Sequence, residues 1–131
     1  MKTTSCLFCC KILTKRHSRK YCDNKCQGSH RQNLIFLRME STGLAEGIIA
    51  TKNYLKKKFG HVCSICGTEQ WQNLPVPLVL DHINGNPYDR KLTNLRLVCG
   101  NCDMQLPTYK NKNKGRGRYC RRVRYSKNLS Y

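Results

Sequence analysis

Cys63-Ser64-Ile65-Cys66 and Cys99-Gly100-Asn101-Cys102 bracket a stretch of 32 residues, and at its centre stands Leu80-Asp81-His82-Ile83-Asn84-Gly85-Asn86. Two residues between cysteines is the spacing at which a tight knuckle turns both thiolates onto one tetrahedral ion. Two such knuckles complete a four-thiolate site with no position left for substrate. Cys63, Cys66, Cys99 and Cys102 are therefore expected to hold a structural Zn2+ that clamps the start of this block to its end.

Between the knuckles the pattern is that of a short sheet. Val76-Pro77-Leu78-Val79-Leu80 reads as a buried strand and Asn94-Leu95-Arg96-Leu97-Val98 as a second one. The polar run Asn84-Gly85-Asn86-Pro87 supplies a loop between them. Cys99 and Cys102 open a short helix that Pro107 stops. Upstream, Ile48, Ile49, Leu55 and Phe59 form a helical apolar stripe ended by Gly60. The fold class expected is a small, zinc-stabilised α+β domain over residues 48–107.

Asp81-His82 carries the chemistry. Imidazole, with an ordinary pKa of about 6.5, is the side chain suited to activating water near neutral pH. A neighbouring carboxylate anchors a hard cation, which can neutralise charge on a phosphate and its leaving oxygen. Adjacent strand residues face opposite ways, so Asp81 and His82 converge only where the strand ends or bends.

Outward from this block, Cys6-x2-Cys9 and Cys22-x3-Cys26 form a second set with ligand spacing, expected to hold a second structural Zn2+ in a module over residues 1–28. Cys10 and Cys120 are left over. Residues 29–47 contain a helical stretch, Arg31 to Glu40, broken by Ser41-Thr42-Gly43, and read as a spacer. Residues 108–131 hold nine Lys and Arg and no acidic residue.

The whole chain of 131 residues carries 25 Lys and Arg against 7 Asp and Glu, a formal net charge of +18. That excess points to a polyanionic partner. Lys110, Lys112, Lys114, Arg116 and Arg118 alternate with small or polar residues and can follow a phosphate backbone. Arg16, Arg19 and Lys20 of the first module are candidates to reach base edges and read sequence, and Arg96 of the second strand is a further candidate contact. No run of 18 apolar residues exists, so no membrane partner is expected. Residues 1–6 show no apolar leader, and eight of the ten cysteines in ligand-spaced pairs fit a reducing cytoplasm. No heptad or large apolar face indicates an oligomeric state.

Asp81-His82, Asn94 and the Cys99–Cys102 knuckle together resemble the HNH endonucleases in their zinc-clamped form, over roughly half the chain. Arg19-Lys20-Tyr21-Cys22-Asp23-Asn24-Lys25-Cys26 resembles, more loosely, the leader module of phage-type, free-standing homing members. The resemblance implies a ββα-metal core related to the treble clef, double-stranded DNA as substrate, and phosphodiester hydrolysis. It assigns a catalytic metal to Asp81, the general base to His82, and the pinning of the loop behind His82 to Asn94. The family's last metal-binding position follows the final zinc cysteine and is usually His or Asn; here it is Asp103. Two carboxylates favour Mg2+ or Mn2+ over softer ions. The competing reading is a zinc-ribbon protein that binds nucleic acid without cutting it.

Overall fold

The computed structural model describes residues 4–13, 20–110, 123 and 126–127. The chain divides into two compact units, residues 1–42 and 43–131.

In the first unit, strands β1 (Thr4–Ser5) and β2 (Ile12–Leu13) pair antiparallel. The chain then enters helix α1, Asn24–Thr42. Asp23 sets its start: its Oδ1 accepts the backbone N–H of Cys26 at 2.7 Å, a side-chain cap on an orphan helix donor. That bond is the main reason the Asp23 carboxyl titrates below the ordinary aspartate range. Gly43, at φ +68°, follows the last turn in the left-handed conformation that ends helices. The helix thus begins seven residues before the expected Arg31, because the cap lies among the metal-spaced cysteines. It also runs through position 28, so the expected module and spacer share one helix.

The second unit opens on helix α2, Ile48–Phe59. Gly47 and Gly60 flank it at φ +69° and +88°. Thr51, Tyr54 and Leu55 are buried, whereas Ile48, Ile49 and Phe59 are exposed. The expected stripe is therefore corrected. Burial is confined to the middle turns at i, i+3 and i+4 spacing, and of the four apolar residues named only Leu55 faces inward.

Strands β3 (Gln70–Trp71) and β4 (Leu74–Pro75) form a small hairpin. Its two connecting residues, Gln72 and Asn73, both take positive φ, at +50° and +63°, as a two-residue turn that matches strand twist requires. The central pair follows: β5, Leu78–His82, and β6, Leu95–Cys99, antiparallel in register from Leu78↔Cys99 to His82↔Leu95. β5 sits two residues later than the apolar run implied, so it carries Asp81 and His82 within the ladder. Helix α3, Gly100–Gln105, follows β6 directly and packs on both strands, as does α2. Tyr54, Leu55, Val76, Leu78, Leu95, Leu97 and Val98 form the core. The second unit is thus a small α+β structure. Among the described residues no helix is long and apolar enough to cross a membrane.

Candidate functional site

The sulfurs of Cys63, Cys66, Cys99 and Cys102 lie within 4.8 Å of one another, and so do those of Cys6, Cys9, Cys22 and Cys26. Four thiolates around zinc at about 2.3 Å would stand roughly 3.8 Å apart along each tetrahedral edge. Cys66 Sγ and Cys99 Sγ are 3.8 Å apart, and Cys9 Sγ and Cys22 Sγ are 3.7 Å apart. Both donor sets fit a four-coordinate zinc ion. No described cysteine is in a disulfide.

The second cluster grows from local turns. Gly67, at φ +71°, closes the first knuckle by donating its N–H to Cys63 O at 2.9 Å. Ser64 N–H reaches Leu97 O at 2.9 Å, tying that knuckle to β6. Cys99 N–H then points at Cys63 Sγ from 3.3 Å. Burial opposes ionisation of Cys63, yet the backbone N–H groups of Cys66, Cys99 and Ile65 bring its thiol down to about 6. Cys102 is pushed the other way, to about 12, first by its bond with Cys66 and then by burial. The first cluster repeats this split. Cys6 falls to about 6, chiefly through the backbone N–H of Cys9, and Cys26 is raised by its bond with Cys22. Four negative sulfurs so close cannot coexist without a cation.

Asp81 is only 8% exposed, and Arg96, opposite it across the ladder, donates Nε–H to its Oδ2 at 2.7 Å. Asp103 lies on α3, partly buried. Its carboxyl is held above the ordinary range first by burial and next by the negative charge of Asp81, with Lys110 opposing. Asp103 on α3 and Asp81 on β5 thus belong to elements packed against each other, and the charge of one bears on the other. His82 is half-buried at the last position of β5, opposite Leu95.

Asn94 holds the loop that leaves His82. Its Oδ1 accepts Asn84 N–H at 3.1 Å, and its Nδ2 donates to Asn84 Oδ1 at 3.0 Å and Asp89 O at 3.1 Å. Its backbone O accepts Ile83 N–H at 2.9 Å. Gly85, at φ +71°, turns back to His82 O at 2.8 Å. Asn84 Nδ2 bonds Asp89 Oδ2 at 2.9 Å, so the loop is cross-tied at both ends.

Among the candidate nucleic-acid contacts, Lys20 and Lys110 are exposed. Arg96 is engaged by Asp81, which the sequence did not disclose. Arg16, Arg19, Lys112, Lys114, Arg116 and Arg118 lie outside the described residues. Sequence reasoning also missed Asn84 and Asp89 as partners of Asn94; the signal was their turn-forming type, without the register that joins them.

No family model matches the chain, and no solved structure matches it. The chain is similar to H-N-H endonuclease F-TflIV of Escherichia phage T5, 46% identical over 56 residues. The matched stretch is 43% of this chain, and it spans 25% of that relative's length. This partial homology supports a relationship to the HNH endonucleases.

Proposed function

We propose that this protein is a metal-dependent DNA endonuclease of the HNH type, with β5, β6 and α3 as its ββα-metal core. The observation that carries the reading is the packing of α3, which bears Asp103, against β5, which bears Asp81 and His82. The similarity to the phage endonuclease adds support.

Asp81 and Asp103 would hold Mg2+ or Mn2+. When bound, such an ion supplies positive charge for the phosphate and for the 3′ oxygen as it leaves. His82 takes a proton from the attacking water through a neutral ring nitrogen. Asn94 keeps the Ile83–Asp89 loop in one conformation, which fixes the end of β5 where His82 sits. The two four-cysteine sets act as structural zinc sites, with Cys63 to Cys102 stapling both ends of the catalytic block. Lys110 and the basic residues beyond position 110 grip duplex phosphates without reading sequence, and Lys20 reaches toward base edges. Two compact units, one per cysteine set, would serve as DNA-gripping leader and cutting domain.

The test is incubation of zinc-loaded protein with supercoiled plasmid and Mg2+ or Mn2+, scored for open-circle and linear products. The parent cuts. His82→Ala loses at least about a hundredfold in rate, the low end of what a general base contributes, and binds duplex DNA as the parent does. Binding without any cleavage by the parent would leave a zinc-ribbon nucleic-acid binder.

A further inference from the structure

We propose that Arg96 is a displaceable counter-ion: it occupies Asp81 while the divalent site is empty and swings away when the ion binds. This rests on the reading of Asp81 as a metal ligand given above.

Asp81 is almost fully buried, and a carboxylate removed from water needs a cation or donors. Arg96 supplies both, through one short bond from Nε at 2.7 Å. The pair is built into the fold, because β5–β6 register sets position 81 against position 96. The two partners differ in freedom. Asp81 is 8% exposed, whereas the Arg96 side chain is 26% exposed and has water to move into. Its backbone is held between Leu95 and Leu97, both buried, so the guanidinium can leave without disturbing the strand.

The chemistry forces a choice. A guanidinium keeps its charge at any accessible pH, so Arg96 cannot yield by losing a proton. A divalent ion at Asp81 would therefore share one carboxylate with a fixed positive charge, and the two repel. Among the described residues the Arg96 bond runs to Asp81, while an ion would also have Asp103 from α3, the helix packed on β5. Arg96 is the partner that gives way. Its freed head is a strong donor to a phosphate oxygen, so metal loading and phosphate binding favour one another, reciprocally. Arg96 on this account is a positioning residue: it balances the charge of Asp81 in the empty site and raises the ion concentration needed to fill it.

The test uses zinc-loaded, full-length protein without DNA. In 15N-labelled parent, Mg2+ is titrated while the Arg96 Nε–Hε resonance and the backbone amides of Asp81 and His82 are followed. The arginine signal should move to its free position in step with those amides; an arginine signal that stays put while they saturate overturns the proposal. By calorimetry, Arg96→Gln should bind Mn2+ at least about tenfold more tightly than the parent, because a repelling charge has gone. Arg96→Lys, which keeps the charge, should stay within about twofold. Unchanged or weaker Mn2+ binding by Arg96→Gln also overturns it. Asp81→Asn separates the two levels. Loss of Mn2+ binding there, with an unmoved arginine, sinks the counter-ion alone; undiminished Mn2+ binding removes Asp81 as a ligand and the counter-ion with it.

Discussion

Replacing Asn94 with alanine should unfasten the loop behind His82, and the size of the effect follows from its bonds. The side chain makes three: one accepted from Asn84 N–H and two donated, to Asn84 Oδ1 and Asp89 O. Each is worth about 0.5–1.5 kcal/mol net. Asn84 is exposed, so its groups recover water once released, and the lower half of the range applies. The loss is then about 2 kcal/mol. For a unit of this length that lowers Tm by roughly 8–16 °C. The backbone bond from Ile83 N–H to Asn94 O survives the substitution, so β5 and β6 stay paired. Asn94→Asp should cost at least as much. Its second oxygen would face Asn84 Oδ1 and Asp89 O, both acceptors, where the amide donated. The assay is thermal unfolding followed by circular dichroism at fixed zinc occupancy, since any ligand of the native state shifts Tm. A Tm for Asn94→Ala within about 3 °C of the parent, no more than a single such bond is worth, would refute the reasoning.

Cys99→Ser should release one zinc ion per chain and abolish cooperative unfolding of the second unit, because structural zinc contributes folding energy directly. Cys10→Ser should leave the zinc content unchanged; metal analysis on the two variants decides. Asp103 binds a cation only when deprotonated, and burial and then Asp81 hold its carboxyl above the ordinary range. Mn2+ affinity should therefore decline on acidification at a higher pH than an ordinary aspartate would give. Asp103→Asn should flatten that limb in calorimetry, and an unaltered profile would count against Asp103 as a ligand. Duplex affinity should fall steeply with salt, and changing Lys112, Lys114, Arg116 and Arg118 to glutamine should flatten the log–log slope by about 0.9 per lost phosphate contact. An unchanged slope would remove the tail from the interface.

What the sequence disclosed was what local chemistry determines. The cysteine spacings were legible because a knuckle is made by its own few residues, such as the left-handed Gly67 that closes one of them. Gly43 and Gly60 marked helix ends for the same reason. The inward face of α2 was not legible, because helical rows repeat along the whole element while only its middle turns are covered. The hairpin at Gln72-Asn73 escaped because glutamine rarely takes positive φ, and tertiary context imposed it. The bond between Asp81 and Arg96 depends on ladder register, which is set across the intervening loop and not by neighbours in the chain.

A metal ion held by Cys63, Cys66, Cys99 and Cys102 would make the hairpin turn at Gln72-Asn73 dispensable as a covalent link. Both that turn and the loop beyond β5 lie inside the ring the sulfurs close. Severing the peptide at the turn would yield two polypeptides still joined by a shared ion and the strand ladder. With zinc in that cluster, such a nicked particle would travel as one species in native conditions and fall apart under a chelator, so its integrity would answer to metal supply more than to its own continuity.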